Sequence, residues 1–275
     1  MSKILIFGNG WLGGKLKDSL RAAISSSDIT DKKMIEEELA KYNPDCVINT
    51  AGKTGRPNID WCEDHKMETI SSNVTGPLIL AEACLKKNIY LAHISSGCIY
   101  DGAAAKELGF SEEDVPNPVS FYSWTKVEAE KLLKPFPFLI MRIRMPFDSE
   151  PHQRNLITKL AGYKKIIDAY NSITSVEDFL NATEILIEKR KTGVFNIVND
   201  GIIGHREIME LYQKIVDPSI TYALIKPEEL LEKGLVKAGR SNCRLDNSKL
   251  AAEGVKMRDA KEAIKSALTE YKKFI

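Results

Sequence analysis

This sequence has neither an excess of charge of one sign nor a long apolar run. Its 275 residues carry 39 basic and 38 acidic side chains, which leave a net charge of +1. Such a chain lacks the positively charged surface that binds the phosphate backbone of a nucleic acid, so we do not expect a nucleic acid as partner. The apolar run Ile4–Phe7 is too short for a signal sequence, and no later segment reaches the roughly 20 apolar residues of a membrane span. We therefore expect no membrane partner and a cytoplasmic location.

Paired cysteines and clustered metal ligands are also scarce. The five cysteines are odd in number and scattered, without a CxxC pair, which is typical of a chain kept in a reducing compartment. The four histidines stand far apart in the sequence. We predict neither a disulfide framework nor a metal site. With 43% hydrophobic and 28% charged residues, the composition is that of an ordinary globular protein.

Short apolar segments alternate with helical patterns through the first half of the chain. The predicted strands cover residues 3–7, 46–49, 89–94 and 138–143. The predicted helices cover residues 11–23, 32–42, 74–85 and 122–133. This alternation predicts a parallel sheet with helices on both faces, which is a doubly wound α/β fold.

A glycine string joins the first predicted strand to the first predicted helix. It reads Gly8-Asn9-Gly10-Trp11-Leu12-Gly13, a GxGxxG pattern in the context that gives the pattern weight. Two glycines allow a tight turn and a close approach to a pyrophosphate, the third lets helix and strand pack closely, and the helix N-terminus adds partial positive charge. The string predicts a dinucleotide site, and an ordinary glycine-rich turn is the alternative.

The second half of the chain shows a looser pattern. Helical patterns cover residues 153–163, 176–189, 206–216, 227–233 and 258–273, and apolar strand-like pieces cover 165–167 and 193–198. No linker-like stretch separates the halves. We predict a dinucleotide-binding core over residues 1–146 and a smaller, mixed substrate-binding lobe over 147–275, with some segments returning to the core.

Asp28 stands where a carboxylate that binds the adenosine ribose is expected. Such a carboxylate favours NAD. The serine run at 25–27, with Arg21 nearby, would equally suit a 2′-phosphate. We predict NADPH as cofactor and keep NADH as the alternative.

Three polar residues suggest chemistry on a carbonyl group. Tyr122 and Lys126 are four apart, which places them on one face of a helix, and the lysine charge would lower the tyrosine pKa from about 10. Ser96 follows a predicted strand at the sheet edge where ligands of open α/β folds bind. If the chain stays extended, Cys98 points to the same side as Ser96. The alternatives are a surface helix pair and a small buried thiol.

Taken together, these residues resemble the extended short-chain dehydrogenase/reductases. Segment 49–62 is similar to the NAAGxTGRPNxDWC motif of plant-type nucleotide-rhamnose synthases, and the chain also resembles dTDP-4-dehydrorhamnose reductases. Further matching segments are residues 96–99, 142–146, 154–159 and 240–242, so the similarity spans nearly the whole chain. The glycine string is one residue shorter than the GxxGxxG of the plant-type enzymes, a departure that bears on cofactor preference.

The resemblance implies roles for individual residues. Ser96, Tyr122 and Lys126 form the reductase triad, Asn73 supports it, and Cys98 with Lys159 forms an epimerisation pair. The implied cofactor-binding residues are Gly8, Asn9, Gly10, Trp11, Leu12, Gly13, Asp28, Ile29, Asn49, Ala51, Gly52, Tyr122, Lys126 and Met145. The implied substrate-binding residues are Thr54, Arg56, Asn58, Trp61, Ser96, Gly97, Cys98, Arg144, Asn155, Lys159, Arg240 and Asn242.

The resemblance also implies an activity and a homodimer. The expected reaction is 3,5-epimerisation of UDP- or dTDP-4-keto-6-deoxy-D-glucose, followed by NADPH-dependent reduction at C4 to the nucleotide L-rhamnose. The hydrogens on C3 and C5 are both α to the carbonyl, so each can be removed if the enolate is stabilised. The alternatives are a 4-ketoreductase without epimerase activity and a non-catalytic regulatory subunit.

Overall fold

The computed structural model describes residues 3–275 and contains short strands and helices in alternation. The strands are β1 (Ile4–Phe7), β2 (Ala23–Ser25), β3 (Cys46–Asn49), β4 (Tyr90–Ser96), β5 (Leu139–Ile143), β6 (Pro146–Phe147), β7 (Lys165–Ile167), β8 (Tyr170–Asn171), β9 (Thr174–Ser175), β10 (Gly193–Asn196), β11 (Ile203–Gly204) and β12 (Ala223–Ile225). The α-helices are α1 (Trp11–Leu20), α2 (Lys32–Tyr42), α3 (Asp60–Asp64), α4 (Lys66–Ile70), α5 (Gly76–Lys86), α6 (Phe121–Leu133), α7 (Leu156–Gly162), α8 (Val176–Glu188), α9 (His205–Ile215), α10 (Pro227–Glu232), α11 (Ser248–Ala252) and α12 (Ala260–Tyr271).

Six strands form one central sheet in the order β10-β5-β4-β3-β1-β2. Strand β1 runs parallel to β2 and β3, and β3 runs parallel to β4. The chain leaves β1 toward β2 on one side and returns to β3 on the other, so the strand order reverses beside β1. The doubly wound α/β prediction is confirmed, and the crevice at this reversal is where ligands of such sheets bind.

The sheet is buried on both faces, which explains why its strands read as continuous apolar runs. Every residue of β3 and β5 is buried. Side chains from the sheet and from α2 and α5, such as Phe7, Ile35, Leu80 and Ile140, form one apolar cluster. Burial of each such side chain contributes roughly 1.5–3 kcal/mol. Helices therefore cover both faces, as a parallel sheet requires.

Strand β2 was not among the predicted strands, because helix α1 ends sooner than its pattern suggests. The predicted helix runs to residue 23, whereas α1 ends at Leu20. Arg21 takes a left-handed conformation with φ 49°, and the Ala22 amide then donates to the Lys17 carbonyl at 3.0 Å. This closure turns the chain, and residues 23–25 pair with β1.

Two compact units are interleaved along the chain. The first comprises residues up to Ile99, together with Pro118–Arg142 and Thr183–Phe195. The second comprises Tyr100–Asn117, Ile143–Ala182 and Asn196–Ile275. Its apolar cluster includes Phe147, Ile157, Ile208 and Ile264, and three two-stranded sheets pair β11 with β8, β12 with β7, and β6 with β9. Within residues 3–275, no helix is both long and apolar enough to cross a membrane. The boundary at residue 146 stays a prediction.

Candidate active site

The glycine string forms a turn that only glycine can make at two of its three positions. Gly8 has φ +106°, and a Cβ there would lie 2.5 Å from the Ala51 nitrogen. A Cβ on Gly13 would lie 2.0 Å from the Gly8 carbonyl oxygen. By contrast, nothing lies within 4 Å of a Cβ placed on Gly10, which is the N-cap of α1. The open space at a helix N-terminus fits the pyrophosphate of a dinucleotide.

The loop after β3 lies against this turn. The Thr50 hydroxyl donates to the Gly8 carbonyl at 2.8 Å and also lies 3.1 Å from the Phe7 carbonyl. The Asn49 side-chain oxygen accepts from the Ala51 amide at 3.0 Å. These contacts hold residues 49–51 beside the turn at the reversal of strand order. The assignment of Asn49, Ala51 and Gly52 to a cofactor site stays a prediction.

Asp28 follows β2 at the same edge of the sheet, and its carboxylate is charged. The Thr30 amide and hydroxyl donate to one carboxylate oxygen at 2.9 and 2.8 Å. These two hydrogen bonds hold the pKa of Asp28 below its usual value, and Lys53 adds a smaller attraction. Ile29 is buried, and a Cβ on Gly76 would lie 2.6 Å from its side chain. Asp28 is therefore an anionic group at the end of β2.

Ser96 is the last residue of β4 and is buried. Its hydroxyl oxygen accepts from the Cys98 amide at 3.1 Å. The condition for Cys98 and Ser96 to point to the same side, an extended chain, is not met, because Gly97–Ile99 forms a 3₁₀ turn. The turn nevertheless keeps Cys98 next to Ser96 through this hydrogen bond. Cys98 is half-buried and Gly97 is buried.

Tyr122 and Lys126 lie on α6, and both side chains are buried. Ser120 caps this helix, since its hydroxyl oxygen accepts from the Ser123 amide at 3.2 Å. The Lys126 ammonium donates to the Ile94 carbonyl on β4 at 3.0 Å. The YxxxK pair therefore faces the sheet, where the ammonium binds β4 two residues before Ser96. The alternative of a surface helix pair is wrong.

Burial changes the protonation of Lys126. It lowers the pKa of this side chain to about 8, while the charge of Glu130 raises it. The ammonium is therefore mostly charged at neutral pH and loses its proton within the range in which enzymes are assayed.

Asn73 supports the same cluster from a π-helical turn, Ser71–Thr75. Its fully buried amide donates to the Lys53 carbonyl at 2.9 Å and to the Thr125 hydroxyl at 3.1 Å, and its oxygen accepts from the Lys53 amide at 2.7 Å. A Cβ on Gly52 would lie 3.2 Å from the Asn73 oxygen and 3.8 Å from the Lys126 ammonium nitrogen. Gly52 thus keeps the space between these two side chains open. Turns of this type occur frequently at functional sites.

The loop after β3 places Lys53 and His65, which the sequence patterns did not indicate, beside the predicted substrate-binding residue Trp61. The rings of Trp61 and His65 stack with centroids 3.9 Å apart, and the Lys53 ammonium lies 5.2 Å from the Trp61 ring centroid. The spacing of four between Trp61 and His65 is the only local signal for this stack. Thr54, Arg56 and Asn58 lie in the same loop, between β3 and α3.

Arg144 lies in the second unit, where its guanidinium group is fully buried. It donates to the Ser241 hydroxyl at 2.9 Å, to the Ser241 carbonyl at 2.7 Å and to the Asn171 side-chain oxygen. The Asn171 amide in turn donates to the Asn242 side-chain oxygen at 3.0 Å. Arg144 therefore holds the segment that contains Arg240 and Asn242, and its direct binding of the substrate stays a prediction.

The remaining candidates also belong to the second unit. Asn155 caps α7 through the Ile157 amide at 3.0 Å, and its own amide donates to the carbonyls of Asp148 and Glu150, each at 2.8 Å. Lys159 is half-buried in the last turn of α7. Met145 has a left-handed backbone with φ 42°. Ser96, Tyr122, Lys126 and the glycine turn thus lie in the first unit. The second unit contains Met145, Arg144, Asn155, Lys159, Arg240 and Asn242.

Known proteins match this sequence over nearly its whole length. The family described as the RmlD substrate binding domain matches residues 2–273. A bifunctional dTDP-4-dehydrorhamnose 3,5-epimerase/dTDP-4-dehydrorhamnose reductase of Arabidopsis thaliana is 39% identical over 94% of this chain and 90% of that protein. A trifunctional UDP-glucose 4,6-dehydratase/UDP-4-keto-6-deoxy-D-glucose 3,5-epimerase/UDP-4-keto-L-rhamnose-reductase of the same plant is 36% identical over 95% of this chain. The chain spans only 41% of that longer enzyme.

Solved structures show the same fold. The crystal structure of the L780 UDP-rhamnose synthase from Acanthamoeba polyphaga mimivirus is 33% identical and superposes with a TM-score of 0.92 over 98% of this chain and 99% of that chain. A dTDP-4-dehydrorhamnose reductase from Bacillus anthracis, solved in complex with NADP, is 19% identical and superposes with a TM-score of 0.82 over 98% of this chain and 99% of that chain.

Proposed function

Because the chain belongs to the family of the RmlD substrate binding domain, we propose that it is an NADPH-dependent 4-ketoreductase of nucleotide-linked 4-keto-6-deoxy sugars. The observation that carries this proposal is the buried Tyr122–Lys126 pair, whose ammonium is bonded to β4 two residues before Ser96. Besides a hydride from the cofactor, reduction of a ketone needs a proton donor, which one hydroxyl group can supply. The second hydroxyl group and the buried cation can stabilise the negative charge that develops. The relatives in which dTDP- and UDP-linked 4-keto sugars are named support this substrate class.

The site fits a dinucleotide cofactor. The turn at Gly8–Gly13 and the N-terminus of α1 would hold the pyrophosphate, and the loop at residues 49–52 lies beside this turn. Bound NADPH supplies the hydride for the carbonyl carbon at C4. The anionic Asp28 disfavours a 2′-phosphate if the two come close, so NADH is the cofactor to compare with NADPH.

In this proposal, residues of the first unit donate the proton and stabilise the charge that develops during the reaction. The Tyr122 hydroxyl donates its proton to the C4 oxygen, and the Ser96 hydroxyl donates a hydrogen bond to the same oxygen. Tyr122 becomes a phenolate when it donates its proton. The Lys126 ammonium stabilises this phenolate, because opposite charges attract strongly in a buried site. Asn73 keeps the Lys53 backbone and Thr125 in place around these groups.

We further propose that the same chain carries the 3,5-epimerase activity. The support is that the bifunctional Arabidopsis enzyme is matched over 90% of its length, and the mimivirus UDP-rhamnose synthase over 99% of its chain. Removal of a proton from C3 or C5 leaves an enolate whose oxygen accepts from Ser96 and Tyr122. Cys98, next to Ser96, and Lys159 are the acid and base of this step, as the resemblance implies.

A product assay tests both proposals. The purified protein receives UDP-4-keto-6-deoxy-D-glucose and NADPH without another enzyme, and the sugar product is identified. Formation of UDP-L-rhamnose is expected. Reduction of only a pre-epimerised substrate would leave a 4-ketoreductase alone. A protein that binds NADPH but consumes none with UDP- or dTDP-linked substrates, epimerised or not, would contradict the enzymatic proposal and favour a regulatory subunit.

Replacement of the cysteine separates the two activities. In Cys98→Ala we expect epimerisation to fall at least about 100-fold, because the variant loses a group that returns or removes a proton. Exchange of solvent deuterium into C3 and C5 measures this step. Reduction of the pre-epimerised substrate should remain within a few-fold of the wild-type rate, which serves as the internal control. Unchanged deuterium exchange would exclude Cys98 from the epimerisation.

A further inference from the structure

Glu130 and Arg142 form a buried ion pair next to the proposed reductase residues. Glu130 follows Lys126 by one helical turn on α6, and Arg142 lies on β5. The Arg142 Nε lies 3.1 and 3.0 Å from the two carboxylate oxygens, and its Nη2 lies 2.7 Å from Oε2. The side chains are only 4% and 7% exposed. The carboxylate also accepts a hydrogen bond from the Ser95 hydroxyl.

These contacts hold the two residues of β4 that directly precede Ser96. The Ile94 carbonyl accepts from Lys126, the Ser95 hydroxyl donates to Glu130, and Ser96 is the proposed catalytic hydroxyl. Successive side chains of a strand point to opposite faces, so Ser95 and Ser96 do not contact the same groups. The two α6 side chains thus fix the end of β4 through one backbone and one side-chain contact.

Stability alone is a weak reason for such a pair. Desolvation of two charges costs about as much as their attraction returns, and a well-packed apolar pair of the same size is often as stable. The pair also has an electrostatic effect on the site, since Glu130 is the carboxylate that favours the charged form of Lys126. On β4, the neighbouring His93 is buried and neutral, because burial and the charge of Lys126 both lower its pKa, and the Asn49 amide lies 3.1 Å from its Nδ1.

We propose that Glu130, held by Arg142, is a positioning residue of the reductase site, which fixes Ser95 beside Ser96 and provides the counter-charge of Lys126. The inference rests on the proposed reductase function. Glu130 touches neither substrate nor cofactor in this scheme. It acts through Lys126 and through the end of β4.

The substitution Glu130→Gln tests the charge while it keeps the size of the side chain and an acceptor for Ser95. We expect the alkaline decline of kcat/KM for NADPH to move to lower pH by about one unit, because the ammonium loses its counter-charge. The rate at pH 8 should fall several-fold, whereas the rate at pH 6.5 changes little. Glu128→Gln on the same helix is the matched control, since Glu128 contacts the exposed Lys131 at 2.9 Å. A profile identical to those of the wild type and Glu128→Gln would overturn the inference.

Two further measurements keep the test decisive. Because Glu130→Gln leaves Arg142 without its counter-charge and can impair folding, the double variant Glu130→Leu/Arg142→Met removes both charges. It should fold and show a shift of the pH profile in the same direction but smaller, because the positive charge of Arg142 is removed as well, and a wild-type profile would contradict the inference. An NMR titration of the Lys126 side chain in cofactor-free protein needs no substrate. A lower titration midpoint in Glu130→Gln, found in a protein that reduces no sugar, would refute the proposed function but not the electrostatic contact. An unchanged midpoint would refute the contact itself.

Discussion

At the scale of single residues, Lys126 is the group whose environment most affects the proposed chemistry. Burial lowers its pKa to about 8, although the side chain is bonded to a carbonyl and lies near a carboxylate. The YxxxK spacing predicted that the tyrosine and lysine share a helix face, and the structure shows this face turned toward β4. A lysine on an exposed face would keep its ordinary pKa and would lack this sensitivity to pH.

The pH dependence of cofactor capture follows from this shift. A lysine whose pKa is about 8 loses its charge as the pH rises through that value. Because kcat/KM for NADPH reports the cofactor-free enzyme, we expect this quantity to decline as the pH increases from 7 to 9. Initial rates of NADPH oxidation across this range measure it. A flat profile up to pH 9.5 would show that the charge of Lys126 is not required.

Removal of the Tyr122 hydroxyl should stop the reduction. In Tyr122→Phe the proton donor is lost while the ring keeps its buried place, so we expect kcat to fall by roughly 10²–10⁴. The readout is NADPH oxidation with a pre-epimerised substrate. Tyr42→Phe, at the end of α2, is the control for loss of a tyrosine hydroxyl elsewhere. A Tyr122→Phe enzyme with the wild-type rate would rule out Tyr122 as the proton donor.

At the scale of elements, the glycines in the turn between β1 and α1 have two different roles. Two of them are required by close packing, and the third lies beside the proposed binding space. Gly8 and Gly13 lack side chains because neighbouring backbone atoms occupy the space, as the 2.0 Å approach of the Gly8 carbonyl to a Gly13 Cβ shows. Gly10 lacks a side chain beside open space. The GxGxxG pattern does not distinguish these reasons, since the three glycines look alike in the sequence.

Two alanine substitutions in this turn should therefore behave differently. Gly13→Ala should lower the free energy of unfolding by about 1–3 kcal/mol or more, because backbone must move to admit the methyl group. Gly10→Ala should lower the free energy of unfolding by at most about 1 kcal/mol, because alanine is a poorer N-cap than glycine. It should weaken NADPH binding at least about tenfold, since its methyl group enters the proposed pyrophosphate space. Denaturant unfolding and fluorescence titration with NADPH measure the two effects. Wild-type affinity in Gly10→Ala would place the pyrophosphate elsewhere.

At the scale of the whole molecule, two interleaved units divide the candidate residues. The first unit contains the glycine turn, Ser96, Tyr122 and Lys126, and it is assembled from three separate stretches of the chain. Residues 183–195 return to it after a long excursion through the second unit. All the predicted cofactor residues except Met145 lie in this unit. Because NADPH is expected to bind only the folded state, its binding should stabilise the protein.

The expected stabilisation of the folded protein by NADPH can be measured. A ligand that binds only the folded state at 100 times its Kd raises the free energy of unfolding by about 2.7 kcal/mol. Thermal unfolding with and without NADPH at that concentration should show the corresponding rise in Tm. Gly10→Ala at the same NADPH concentration should show a clearly smaller rise. An equal rise in both proteins would mean that NADPH binds away from the glycine turn.

Features that depend on local order along the chain could be predicted from the amino-acid sequence. Alternating apolar and helical segments predicted the parallel sheet, GxGxxG placed the turn after β1, and the spacing of four placed Tyr122 and Lys126 on one face of a helix. The sequence also carried the family resemblance, which the match over residues 2–273 confirms. Periodicity and turn chemistry are local, and they can therefore be seen in a single sequence.

Tertiary structure alone decided which distant residues meet. The early end of α1, the 3₁₀ turn after Ser96 and the π-helical turn around Asn73 depend on backbone closure that no apolar pattern encodes. The bond from Lys126 to Ile94 and the pairing of Glu130 with Arg142 join residues that lie on different elements. Their charges acquire altered chemistry only when the packed sheet and helices exclude water, because desolvation is a property of the assembled fold and not of the residues alone.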